Sequence, residues 1–138
     1  MMQPSDMASV LVVEDNEFDR FLIQDTIKRR NLPLQVHIMQ DGFDAREFLS
    51  EPEVVPPSLI VLDLNMPRMD GFELLKWLRV RDAFKQVPII ILTCSESDAD
   101  RKMAMQEGAT DYLLKPMDVD QMEQVVVNLF QKWALQVE

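Results

Sequence analysis

Three short apolar runs, none of which alternates with polar residues, most narrow what this chain can fold into. They are residues 9–13 (SVLVV), 58–63 (SLIVLD) and 87–93 (VPIIILT). A strand with one wet face alternates apolar and polar side chains, whereas an unbroken run suits a strand buried on both faces, as in a parallel sheet covered by helices. The intervening segments supply those helices. Asn16 caps a helix starting at Glu17, with Phe18, Phe21 and Leu22 across its faces and Arg29 and Arg30 in a last turn whose dipole favours cations. Leu34, Val36 and Ile38 alternate with Gln35, His37 and Met39, which reads as a second strand nearer an edge. Asp41 and Gly42 break it, a short helix follows over residues 43–49, and three prolines in residues 51–57 make a linker that cannot continue that helix. Gly71 opens a helix with Phe72, Leu75 and Leu78 on one stripe. Residues 95–98 cap another helix that stops at Gly108. Residues 111–114 form a fifth strand. Asp118 then starts a last helix carrying Val119, Met122, Val126, Leu129, Phe130 and Trp133 at helical spacing. Strand followed by helix, five times over, predicts an α/β fold with a parallel sheet between two helical layers.

A chain of 138 residues suits one domain with a real core. Its formal net charge of −10 argues against a nucleic-acid surface, which needs clustered Lys and Arg, and is compatible with a local pocket for a cation. A single cysteine, Cys94, excludes an intrachain disulfide and fits a reducing compartment. Residues 1–9 have neither the charged nor the apolar part of a signal peptide. No apolar run approaches the roughly 20 residues that span a bilayer. The expectation is a cytoplasmic protein without membrane partners: a flexible N-terminus over residues 1–8, then one domain over residues 9–138 and no output domain.

The strand ends carry the chemistry. Glu14 and Asp15 follow the first strand, Asp63 ends the third, Thr93 ends the fourth and Lys115 follows the fifth. Ligands of open α/β sheets bind outside these C-terminal ends. Four separate segments thus bring three carboxylates, a hydroxyl and an ammonium to one place. Asp63 is the most telling, because a charge at the end of a buried strand is costly unless something offsets it. Three neighbouring carboxylates call for compensation, and a hard divalent ion with oxygen ligands, Mg²⁺ above all, supplies it beside Lys115. A carboxylate held in this way can attack phosphorus and form an acyl phosphate, with Thr93 bonding a phosphoryl oxygen.

These residues, with Asn65, Met66 and Pro67, Asp70 and Gly71, Tyr112 and Pro116, resemble the receiver domain of two-component response regulators over residues 9 to about 135. The resemblance implies a flavodoxin-like (βα)5 doubly wound sheet with strand order 2-1-3-4-5, as in the chemotaxis regulator. It implies a phosphoryl group on Asp63, donated by a sensor histidine kinase or a histidine phosphotransfer protein. Asp15, Asp63 and the backbone carbonyl of Asn65 would ligate Mg²⁺, with Glu14 acting through water. Lys115 would pair with the phosphoryl oxygens, and the bond before Pro116 would be cis. Thr93 and Tyr112 would be the switch: Thr93 moves toward the phosphoryl group, Tyr112 turns inward, and the face of the fourth helix, fifth strand and fifth helix reads out the change.

Cys94 departs from the Ala or Gly usual after the threonine and is expected to slow the chemistry by narrowing access. Asn65 and Ser95, at positions that tune phosphoryl lifetime in the family, are small and polar and leave room for water. His37 and Cys94 are given no chemical role. Val125, Val127 and Leu135 lie off the main stripe of the last helix, which predicts a homodimer through this helix or the adjoining strand. The spacing of Phe130 and Trp133 is similar to that in phytochrome-associated single-domain regulators. The expected protein catalyses only its own phosphorylation and dephosphorylation and is otherwise not an enzyme. The competing reading is a receiver-like binding module independent of phosphorylation. An aspartyl phosphohydrolase would want an acid where Asn65 stands, and a flavin carrier would want a phosphate loop where residues 14–17 are acidic.

Overall fold

The computed structural model describes residues 7–66 and 68–135; Pro67, like the termini, lies outside them. Five strands, β1 (Ala8–Val13), β2 (Leu34–Met39), β3 (Leu59–Leu62), β4 (Ile89–Thr93) and β5 (Asp111–Leu114), alternate with five helices. These are α1 (Glu17–Arg29), α2 (Gly42–Leu49), α3 (Gly71–Arg79), α4 (Asp98–Gln106) and α5 (Val119–Trp133). All strand pairs are parallel and the order is β2-β1-β3-β4-β5, the flavodoxin-like arrangement expected. The first strand begins at Ala8, one residue earlier than expected; residues 1–6 lie outside the described residues. A 3-10 turn over Asp82–Phe84, which no pattern in the sequence marks, places Phe84 in the core beside α3.

The unbroken strand runs are buried on both faces because successive side chains point to opposite sides. Leu11, Val13, Ile60, Leu62, Ile89 and Ile91 join residues of α2, α3 and α4 in one core. Val10, Val12, Leu59, Val61, Ile90 and Leu92 join α1 and α5 in the other. Each such side chain contributes roughly 1.5–3 kcal/mol by leaving water.

Each helix starts on a side chain that accepts the N–H three residues on: Asn16, Asp41, Asp70, Ser97 and Asp118. These bonds satisfy donors that a helix leaves open at its N-terminus, and they anchor every loop at the strands' C-terminal edge.

Two expectations about helix faces change. In α1, Leu22, Ile23 and Thr26 are buried, whereas Phe18 and Phe21 are 55% and 60% exposed. In α5, Val127 is buried and Val125 and Trp133, with Leu135 just beyond the helix, pack partly buried against the core, so much of the apolar surplus that motivated a homodimer is used within the fold, while Val119 stays exposed. His37, placed on an open strand face by its alternation, is half-buried with its ring centroid 5.0 Å from that of Phe48.

Gly71 positions the site. Its N–H donates to the Leu64 carbonyl (2.9 Å), closing the β3–α3 loop, and a Cβ there would overlap the Asp63 carbonyl oxygen and approach Leu64 Cα at 2.7 Å. Gly71→Ala is expected to lose roughly 1–3 kcal/mol, the usual cost of forcing an atom into a packed site. Urea unfolding would check this; an unchanged midpoint would contradict the close approach.

Candidate phosphoryl-acceptor site

The site is built at the C-terminal ends of β1, β3, β4 and β5. The ladder carries Asp63 one residue beyond β3, its N–H donating to the Val13 carbonyl at 3.1 Å. In the same way Glu14 N–H donates to Met39 O (3.0 Å) and Lys115 N–H to Thr93 O (2.8 Å). Backbone pairing therefore places these residues before any side-chain chemistry acts. Arg20 from α1 donates to the carbonyls of Glu14 (3.1 Å) and Asp15 (2.8 Å), holding the β1–α1 turn.

Lys115 is the centre of the side-chain arrangement. Its Nζ lies 2.7 Å from Glu14 Oε1, 2.8 Å from Asp63 Oδ2 and 2.9 Å from Asp19 Oδ2, and its side chain is only 6% exposed. An ammonium has three protons, and each has a carboxylate. Burial opposes the charge, but the bonds to Asp63, Glu14 and Asp19 hold Lys115 well above the usual lysine range.

The structure brings together Glu14, Asp15, Asp63 and Lys115, as expected, and adds Asp19. Asp19 was not singled out because it reads as an ordinary acid in the first turn of a helix. The signal available was its place at the third helical position after the Asn16 cap, which turns it back toward the strand ends.

Carboxylate oxygens of Glu14, Asp15 and Asp63 lie within 4.8 Å of one another. Glu14 and Asp63 are buried, and Asp15 is exposed on the mouth. Burial pushes Glu14 up from its ordinary 4.5 to about 7, against the pull of Lys115 and with the help of the Asp63 charge. Three carboxylates meet one ammonium, and Asp15 adds a fourth acid beside Glu14 and Asp63. This all-oxygen, charge-surplus donor set fits a hard divalent cation. Asn65 is exposed beside it, and its N–H reaches Asp63 Oδ1 at 3.4 Å.

Thr93 is fully buried, and its hydroxyl accepts the Ser95 N–H at 3.3 Å. The resemblance implied that Tyr112 turns inward on activation. Here the ring is already inward, 4% exposed, with its hydroxyl donating to the Ser95 carbonyl at 2.9 Å and the Arg101 guanidinium 5.5 Å over its face. A buried phenol needs a partner for its O–H, and the α4-side loop provides one. The bond before Pro116, expected cis, is trans, since the described residues contain no cis peptide. The ladder bond from Lys115 N–H and the carboxylates around its Nζ already place the lysine, and trans is the intrinsically favoured isomer. Cys94, next to Thr93, is exposed.

The family model for the response regulator receiver domain matches residues 10–127. The chain belongs to that family. It is 31% identical to response regulator Rcp1 of Synechocystis sp., with 90% of this chain and 87% of Rcp1 aligned. The solved structure of the Mn²⁺-bound form of Rcp1 superposes with a TM-score of 0.87 at 28% identity, covering 95% of this chain and 97% of that one. A phosphorylated cyanobacterial phytochrome response regulator, RcpA, superposes with a TM-score of 0.86 at 28% identity, covering 92% of this chain and 94% of that one. Among longer relatives is the transcriptional regulatory protein GltR of Pseudomonas aeruginosa, 39% identical over 108 residues. The receiver chain aligns over 78% of its own length there and spans 43% of GltR. No helix among the described residues is long and apolar enough to cross a membrane.

The raised Glu14 carboxyl has a consequence for stability. Between pH 4.5 and 7 the folded receiver binds more protons at Glu14 than the unfolded chain, so its stability falls as pH rises through this window. Lys115, shifted upward, titrates above the window. Asp41 titrates below it: burial pulls its carboxyl up, but the Asp44 N–H and Arg68 hold it under its ordinary 3.8. In the presence of a chelator, Glu14→Gln is expected to remove a fall of about 3 kcal/mol across the window, as measured by urea unfolding. An equal pH dependence in parent and variant would contradict it.

Proposed function

We propose that the receiver accepts a phosphoryl group on Asp63 from a phosphohistidine of a sensor histidine kinase or a histidine phosphotransfer protein, in a reaction that requires Mg²⁺. The observation that carries this reading is the Lys115 ammonium bridging Asp63 and Glu14, with Asp15 completing a carboxylate trio within 4.8 Å. An Asp63 carboxylate oxygen attacks phosphorus and the P–N bond breaks. The electron pair leaves with the imidazole nitrogen, which takes a proton from water. Asp15, Asp63 and the Asn65 carbonyl would hold the cation, with Glu14 through water, and the bound cation supplies charge neutralisation for the transferred group. Lys115 gives up one carboxylate to reach a phosphoryl oxygen, and the Thr93 hydroxyl donates to another. Water later hydrolyses the acyl phosphate, so the protein catalyses only its own phosphorylation and dephosphorylation. Phe18, beside Asp19 in the first turn of α1, and the fully exposed Met117, two residues after Lys115, leave apolar side chains close in the chain to the acidic cluster, which suits a protein donor.

The output is a change in the face of α4, β5 and α5 for partner binding in the cytoplasm. The support for it is the chain of contacts from Lys115 to Thr93, Ser95 and Tyr112. A homodimer through α5 has less support, because most of the helix's apolar residues pack on the core and Val119 alone among its valines is exposed. One observation favours a phosphorylation-independent binding module: Tyr112 already occupies its inward position.

One experiment decides between them. With Mg²⁺ and a small phosphodonor, intact mass spectrometry is expected to show the addition of one phosphoryl group to the parent and none to Asp63→Asn. Omitting Mg²⁺ should abolish the addition. A parent that gains no mass, or a variant that gains the same mass, would favour the binding module.

A further inference from the structure

The loop between β3 and α3 leaves the sheet at Asp63 and returns at Gly71, and its two ends are held by the Val13 and Leu64 carbonyls. Its middle is held from the side, by the start of α2. Gly42 N–H donates to the Met69 carbonyl at 3.1 Å, and a Cβ on Gly42 would overlap that same oxygen. Arg68 Nε donates to Asp41 Oδ2 (2.8 Å) and its Nη2 to Asp44 Oδ1 (2.9 Å), while the guanidinium stands 4.8 Å from the Phe43 ring centroid.

Asp41 is not a surface partner. It is 5% exposed, and its other oxygen, Oδ1, caps α2 by accepting the Asp44 N–H at 2.9 Å. Arg68 itself sits at φ 65°, a left-handed conformation that a residue with a side chain adopts at a cost. Such strain persists where surrounding contacts over-determine it. An exposed ion pair alone contributes little. Here a buried carboxylate, a second carboxylate and an aromatic ring converge on the strained residue, three positions after Asn65.

We propose that Arg68 and Asp41 form a latch through which α2 sets the shape of the β3–α3 loop, and with it the position of Asn65 for divalent-cation binding at Asp63. This rests on the reading of the Glu14, Asp15 and Asp63 cluster as a cation site. Both latch members are positioning residues, since neither belongs to that cluster. Their effect reaches the cation through the loop backbone.

The test uses the full chain and Mn²⁺ alone, following free Mn²⁺ by electron paramagnetic resonance. The variants are Arg68→Gly, Arg68→Lys, Asp41→Asn and the double variant Arg68→Gly/Asp41→Asn. Arg68→Gly is decisive, because glycine accepts the left-handed backbone without strain and the latch is lost, together with the Asp44 and Phe43 contacts of the same guanidinium. Asp41→Asn keeps the helix cap. Both single variants are expected to weaken Mn²⁺ binding roughly tenfold, the low end of what losing a supporting group around a metal ligand costs. Arg68→Lys should fall between them and the parent, and the double variant should bind no more weakly than the worse single, because both remove one contact. A latch that acts only on stability would shift the urea midpoint of Arg68→Gly and leave its Mn²⁺ affinity at the parent's value, which would overturn the proposal. Multiplying effects in the double variant would also overturn it. A parent that binds no Mn²⁺ would remove the cation reading together with the latch, whereas a parent that binds beside unchanged variants removes the latch alone.

Discussion

The structure turns on one buried ammonium. Lys115 Nζ holds carboxylates from three places, the end of β1, the first turn of α1 and the end of β3, and its own backbone is bonded to the end of β4. Like charges brought this close repel, and burial makes the repulsion worse. The ammonium offsets only part of it. Burial, with the Asp63 charge adding to it, pushes the Glu14 carboxyl up toward neutrality. The cluster is thus held together by charge and left short of positive charge, which is what gives a cation a reason to bind there.

The same lysine connects the cluster to the far side of the sheet. From Lys115 the contacts run through the Thr93 carbonyl and hydroxyl to Ser95. Ser95 donates to Asp100 at 2.6 Å at the start of α4, and its carbonyl receives the Tyr112 hydroxyl. On the opposite flank the β3–α3 loop is tied to α2 through Met69 and Arg68. The chemistry therefore sits between two supports, both on rigid elements.

Much of this was legible in the sequence. Unbroken runs marked the central strands, alternation marked β2 as an edge strand, and acids and a lysine directly after strands marked the cleft. What was misread depended on direction. Phe18 and Phe21 count as apolar in any pattern, yet α1 turns them to solvent. Val125 and Leu135 looked surplus, yet both pack partly buried against the core. Asp19 and Arg68 were passed over because each alone is an ordinary surface charge, and only the fold shows what they meet.

The amino-acid sequence by itself determined the parallel sheet, the caps that start the helices and the residue types that stand at each strand's end. All of these follow from local pattern and from the pull of apolar side chains out of water. The tertiary structure decided how those ends meet: the third carboxylate on Lys115, the inward Tyr112 and the grip of Asp41 on Arg68. Contacts between residues dozens of positions apart depend on distances and side-chain directions, which no local pattern encodes. The stretch around Asp63 announced a costly charge, and the packing of four other segments around it supplied the partners that let it stay.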